Sequence, residues 1–223
     1  MLESVKDEFS RRSEEIDALY AHIECVDAAM DAAARDVSPG LVSILASSLC
    51  LMLYNQVEST AFSCVESIYD GVHEKQISFD RLVPGFKKKI LDDCRQAYHS
   101  TKSIMSSLGN SDISAALAKA SLKLDKVFSG NVDAQKIRDV LKHYNLVVTA
   151  PSRLNQGAEL LNLKTARNSL AHGSSSFDKY GRNYTLGDLC RLRDNVREYM
   201  AHLISLTEKY LESEAYLNPL SAA

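Results

Sequence analysis

Apolar side chains near the start of the chain return every three or four residues: Val5, Phe9, Ile16, Leu19, Tyr20, Ile23, Val26 and Met30 stand among Glu, Lys and Arg between Leu2 and about Ala34. A strand places alternate residues on one face, whereas a helix returns to a face after about 3.6, so this run specifies a long helix with one apolar stripe. "RDVSPG" interrupts it. Ser38 can then cap, and Pro39 can open, a second helix over about 39 to 72, because proline lacks the N–H that a first turn leaves unused. Its first half, "LVSILASSLCLMLY" (41 to 54), is apolar nearly all round, which predicts burial on most sides. The stretch is too short to cross a bilayer and gives way at once to Asn55, Gln56 and Glu58.

Nine Gly and four Pro in 223 residues leave little material for turns, so the remaining elements are expected to be long as well. "FDRLVPGFKKKILDDCRQAYHSTKSIMSSL" predicts one or two shorter helices interrupted around Pro84-Gly85, and "SDISAALAKASLKLDKVFSG" predicts another, capped by Ser111 or Asp112 and stopped by Gly130. "NVDAQKIRDVLKHYNL" reads as a short helix capped near Asn131 to Asp133. After the turn-rich "TAPSRLNQG", helical spacing resumes from Ala158 to His172 through Leu160, Leu161, Leu163, Ala166 and Leu170, and Gly173 stops it. "GSSSFDKYGRNYTLGD" is expected as a loop or small hairpin. Thr185 or Asp188 then starts a last helix through Leu189, Leu192, Val196, Met200, Leu203, Ile204 and Leu211. The expected class is all-α, an up-and-down helical bundle with additional helices. Within one domain over 1–223, residues 1–75 form a helical hairpin, 76–157 a helical insert and 158–212 the last helices with their loop.

Cys25, Cys50, Cys64, Cys94 and Cys190 lie far apart, are odd in number and include no C-x-x-C pair, so neither a disulfide framework nor a zinc knuckle is indicated. A reducing cytoplasm is the simplest setting. "MLESVKDEFSRRSEE" alternates charges and has no apolar core of the kind a secretory leader carries, so neither a leader nor a membrane association is expected. The formal net charge of −3 argues weakly against a nucleic-acid partner, but its distribution does not. Between 164 and 197 stand the cations Lys164, Arg167, Lys179, Arg182, Arg191, Arg193 and Arg197 and the acids Asp178, Asp188 and Asp194, a local balance of +4 that leaves −7 elsewhere. A phosphate-binding surface has that character; so does a solvated helix face.

Within this region, "RNSLAHG" (167 to 173) joins a cation, an amide and an imidazole to a glycine stop. An Arg five residues before a His is a short pattern that chance supplies readily, and the chain holds three: Arg138/His143, Arg167/His172 and Arg197/His202. Context separates the middle pair. Asn168 and His172 are four apart and share a helix face, and Arg167, one residue's rotation away, is long enough to swing toward them. Ser169 and Ala171 keep the surroundings small. At the last turn the helix dipole favours an imidazolium and Arg167 opposes it, which suits proton transfer near neutral pH.

The wider stretch resembles the HEPN (higher eukaryotes and prokaryotes nucleotide-binding) superfamily, in the bacterial branch of stand-alone nucleases that includes the MAE_28990/MAE_18760-like family. The likeness lies in Arg167-Asn168 with His172-Gly173, then Phe177, then Tyr184-Thr185-Leu186 with Asp188-Leu189; "LYNQVEST" (53 to 60) and "SGNVDAQKIRDVL" (129 to 141) are similar to the same branch. The resemblance implies a bundle that dimerises through the motif-bearing helices, and RNA cleavage that needs no metal or other cofactor. By it, His172 is the candidate general acid or base, Arg167 the clamp on the developing phosphorane charge, and Asn168 an orienting donor. DNA lacks the 2′-hydroxyl that serves as nucleophile, so RNA is the expected substrate. In HEPN toxins controlled by a nucleotidyltransferase the histidine is often followed by x-Tyr; here Gly173-Ser174 follow, and Tyr180 is a later loop residue. Tyrosine adenylylation at that place is therefore not expected.

Lys164, Lys179 and Arg182 are candidate RNA contacts. Asn55 and Glu58, one turn apart on the second helix, are candidates to brace Arg167 or His172, or members of an internal polar network. His22 and Cys25 have ligand spacing but no second pair joins them, so no metal site is expected, and Lys87-Lys88-Lys89 reads as a solvated face. The leading expectation is an endoribonuclease of toxin or phage-defence type, a homodimer restrained by an inhibitory antitoxin or other regulatory partner. The alternatives are a non-catalytic RNA- or nucleotide-binding module and a structural adaptor bundle.

Overall fold

The computed structural model describes residues 2–31, 40–97, 127–128 and 130–219. Seven α-helices lie among the described residues: α1 Glu3–Asp31, α2 Leu41–Glu74, α3 Pro84–Ala97, α4 Ala134–Lys142, α5 Ala158–Ala171, α6 Phe177–Gly181 and α7 Leu186–Glu212. Short 3-10 turns cover Phe79–Arg81 and Ser152–Gly157. Ser38, Pro39 and most of the helix expected after Ser111 lie outside the described residues.

Helix α2 is the centre. Leu49, Leu53, Tyr54, Val57, Val65 and Ile68 are each at most 1% exposed, on several sides of the same helix. Each such side chain stabilises the fold by about 1.5–3 kcal/mol, whereas a helix cap contributes about 1, so burial and not capping decides where α2 sits. Its N-cap, Gly40, offers no side-chain bond. By length and composition α2 could cross a membrane; α1, α5, α6 and α7 all pack on it.

Contacts between helix ends give the directions. Gln56 on α2 donates to the carbonyl of Phe9 (3.4 Å) and the hydroxyl of Ser13 (2.8 Å) on α1, and Leu2 and Glu3 at the start of α1 line one cavity with Gly71 and Lys75 at the end of α2, so these helices run antiparallel. Lys6 pairs with Glu208, Arg197 with Asp17, and the Tyr20 hydroxyl donates to the Leu186 carbonyl, so α7 runs antiparallel to α1 and beside α2 in the same direction. Asn195 on α7 donates to Glu159 at the start of α5 (3.0 Å), while Arg167 near its other end lies over Tyr54 of α2. Together α1, α2, α5 and α7 make an up-and-down bundle, and one buried cluster draws side chains from Leu2 to Tyr216.

Local chemistry sets several boundaries. Pro84 begins α3, where the sequence suggested an interruption within a helix, because a missing N–H costs nothing in a first turn. Asp133 caps α4 by accepting from the Lys136 N–H, and Thr185 with Asp188 forms a reciprocal capping box at α7. Edge-on contacts among Tyr69, Phe86 and Tyr144 hold α3 and the end of α4 against α2.

The stretch expected as a loop or hairpin contains α6 instead. Ser176 caps it, and the Ser47 hydroxyl on α2 donates to the Phe177 carbonyl (2.6 Å). Gly181 lets the backbones meet, since a Cβ there would lie 1.8 Å from the Ser43 carbonyl oxygen. Tyr180 is thus a helix residue, its ring 6.0 Å from that of Tyr184.

Candidate active site

Helix α5 buries Leu160, Leu163, Ala166 and Leu170 and turns Leu161, Thr165 and His172 to solvent. Its C-terminus closes by three backbone bonds: His172 N–H to the Asn168 carbonyl (3.1 Å), Gly173 N–H to Leu170 (3.2 Å) and Ser175 N–H to Ser169 (3.3 Å). Gly173 has φ +68 and nothing within 4 Å of an added Cβ, so backbone conformation and not crowding calls for glycine. The chain turns away there and leaves the exposed His172 at the helix end. Among the described residues its ring makes no hydrogen bond.

Arg167 is held in place. Its Nη1 donates to Asn168 Oδ1 (3.1 Å), its guanidinium lies 6.0 Å from the ring centroid of Tyr54, and a Cβ on Gly130 would come within 3.1 Å of its Nη2. Asn168 Nδ2 donates to Asn131 Oδ1 (3.0 Å). Tyr54 is 1% exposed, and its hydroxyl oxygen accepts the Val132 N–H (3.1 Å). Burial raises the Tyr54 phenol above its usual range and the Glu58 carboxylate adds to this, against the Val132 bond and the Arg167 charge, so the group stays protonated.

Glu58 therefore belongs to the surroundings of Tyr54 through its charge. Among the described residues neither it nor the exposed Asn55 forms a hydrogen bond or ion pair with Arg167 or His172. Lys164 is engaged by Asp133, which also caps α4. Burial works against the charge of Asp133, but Lys164 and the Lys136 N–H keep its carboxyl below the usual range. Lys179 is exposed on α6, and Arg182 reaches both oxygens of Asp178 (3.1 and 2.6 Å).

The cations of residues 164 to 197 do not form one surface. Arg193 lies 4.5 Å from the Tyr20 ring centroid and pairs with Asp17, as does Arg197, so these face α1. The other two Arg/His pairs separate. Arg138 donates to the Gln156 carbonyl (3.0 Å) while His143 caps α4, and Arg197 binds Asp17 (2.6 Å) while His202 Nε2 meets the Thr149 carbonyl (2.7 Å). Among the described residues no three His, Cys, Asp or Glu gather as metal ligands; His22 and Cys25 are exposed.

Tyr54, Gly130 and Asn131 are the site residues that the sequence pattern did not assign. All three lie inside "LYNQVEST" and "SGNVDAQKIRDVL", which resemble the same branch as the motif; that likeness was the available signal.

The family model for HEPN_MAE_28990/-like HEPN matches residues 1–216. The chain belongs to this HEPN family. No curated protein and no solved structure matches it. The HEPN match spans every element that builds the site, from α2 with Tyr54 through the Gly130–Asp133 segment to α5 and α7.

Proposed function

We propose that this HEPN protein is an endoribonuclease that cleaves RNA by internal transesterification at a twofold cleft, with Arg167, Asn168 and His172 as its working residues. The observation that carries this reading is the contrast within one motif: a guanidinium braced by Tyr54, Asn168 and Gly130 and, five residues on, an exposed imidazole free of hydrogen bonds among the described residues. A charge clamp works best preorganised, and a proton-transfer group must be free to meet substrate.

The reaction balances without water. The ribose 2′-hydroxyl gives up its proton, its oxygen bonds to phosphorus, the P–O5′ bond breaks, and the departing 5′-oxygen takes a proton. A 2′,3′-cyclic phosphate and a 5′-hydroxyl result. His172 carries a proton in one of these transfers, and Arg167 stabilises the negative charge that grows on the non-bridging oxygens. With these two groups supplying proton transfer and charge stabilisation, the chemistry requires no metal.

The dimer is proposed through the outer face of α5, where Leu161, Thr165, Asn168 and His172 lie at helical spacing and a second copy would cover Leu161. Lys179 and Arg182 then serve as outlying phosphate contacts, because a surface pair such as Arg182–Asp178, at about 0–1 kcal/mol, exchanges readily for a phosphate. A nuclease of this kind, acting in the cytoplasm as a toxin or defence effector, needs an inhibitory or regulatory partner.

Purified protein incubated with total RNA in excess chelator tests the reading. Wild type is expected to cleave, and Arg167→Ala and His172→Ala are not. Cleavage by all three removes the site; cleavage by none, with RNA still bound, leaves a non-catalytic RNA-binding module.

A further inference from the structure

Four consecutive residues ahead of α4 meet the motif helix or its support. Gly130 packs on Arg167, Asn131 accepts from Asn168, Val132 donates to Tyr54, and Asp133 pairs with Lys164. A loop that merely joined helices would not need all four contacts.

The polarity of this chain of bonds follows from what each group can do. A guanidinium only donates, so Asn168 must present its Oδ1 to Arg167. That turns Asn168 Nδ2 toward Asn131, which in turn must present its own Oδ1. The Nδ2 of Asn131, with two N–H donors, is left over. Asn131 is exposed, and among the described residues its Nδ2 has no partner. Two donors therefore stand at the solvent side of the site, one amide away from the guanidinium.

We propose that Asn131 is a substrate-binding residue: its Nδ2 donates to a non-bridging oxygen of the RNA phosphate while its Oδ1 holds Asn168. Arg167, Asn168 and Asn131 then act as a relay of oriented donors, the amides set by the guanidinium and all aimed at one anion. The proposal rests on the ribonuclease reading above.

Asn131→Asp separates the two halves of the role, because a carboxylate still accepts from Asn168 but cannot donate and repels phosphate. Asn131→Ala removes both. RNA affinity is measured by fluorescence anisotropy of a labelled RNA oligonucleotide in the full chain carrying His172→Ala, so that turnover does not intervene. KM and kcat are measured in the otherwise wild-type chain. Both substitutions are expected to weaken RNA binding by about 10-fold or more and to raise KM, with Asn131→Asp the more severe and its melting temperature unchanged.

Wild-type affinity and KM in Asn131→Asp, with loss only in Asn131→Ala, would reduce Asn131 to an orienting role and overturn the proposal; so would unchanged binding in both. If Arg167→Ala abolishes cleavage while Asn131→Asp behaves as wild type, the nuclease reading stands and Asn131 alone is removed. If the unsubstituted chain neither cleaves nor binds RNA, both fall together.

Discussion

Arg167/His172 and Arg197/His202 have the same spacing and both lie on long-range bundle helices, yet their surroundings differ in kind. At 197 and 202 each side chain is engaged by a different neighbour, Asp17 of α1 and the Thr149 carbonyl, and the two act as separate fastenings. At 167 and 172 the helix ends. Arg167 is fixed by contacts from α2 and the Gly130–Asp133 segment, while His172 stands where the chain turns off through a left-handed glycine. Spacing alone does not make a site. What distinguishes Arg167/His172 from Arg197/His202 is a guanidinium held without a carboxylate partner among the described residues, so its charge is not neutralised in place. Arg138 also lacks a carboxylate partner among the described residues, but its guanidinium is taken up by the Gln156 carbonyl and the Gln135 side chain.

Substitutions test that contrast. The largest effect is expected at His172. His172→Ala should lower kcat/KM for RNA by roughly 100- to 10,000-fold, as loss of an acid–base group does, with no change in melting temperature because the ring is exposed and makes no hydrogen bond among the described residues. His202→Ala should leave kcat/KM near wild type. Equal losses in both would erase the distinction between the pairs. Next is Tyr54→Phe, which keeps the ring near Arg167 but leaves the buried Val132 N–H without its acceptor. It should destabilise the fold by about 1–3 kcal/mol in denaturant titration, and RNA cleavage should fall less than in Arg167→Ala. No stability change would mean that the hydroxyl does not hold the Gly130–Asp133 segment.

Arg197→Ala removes a surface pair with Asp17, a partner that Arg193 also serves, so a loss of about 0.2–1 kcal/mol is expected in the same titration, with RNA cleavage retained. A fall in activity without a fall in stability would bring Arg197 into the site. The smallest effect concerns His143. Burial, and then the nearby Lys89 ammonium, lower its pKa below the ordinary 6.5. Below that value the unfolded chain binds a proton that the fold disfavours, so stability should decline as pH falls from about 6.5. His143→Asn should flatten the decline that sets in below about pH 6.5, followed by thermal melts across pH; an unchanged slope would place the titration elsewhere.

Much of the bundle was legible in the sequence because helices are local objects. The spacing from Val5 to Val26 predicts α1, the all-round apolar run predicts the burial of α2, and Thr185 with Asp188 marks the start of α7. The loop or small hairpin expected after Gly173 missed a helix for an equally physical reason. Five residues form α6 because Ser176 caps it and Gly181 lets it sit on Ser43, and that close approach has no local signature. The cationic stretch misled similarly: adjacency in sequence put Arg193 and Arg197 among the surface cations, but the helical turn points them at α1.

By itself the sequence determined that the chain is helical, that one helix is central, and that an arginine, an amide and an imidazole meet a glycine stop, since periodicity and capping act over a few residues. Only the tertiary structure decided that Asn131, 37 residues before Asn168, would reach it, that Tyr54 would lie beneath Arg167, and that Lys164 would be drawn to Asp133. Those contacts join groups far apart along the chain. Their geometry is set by how α2, α4 and α5 pack, and no local pattern of residues encodes that packing.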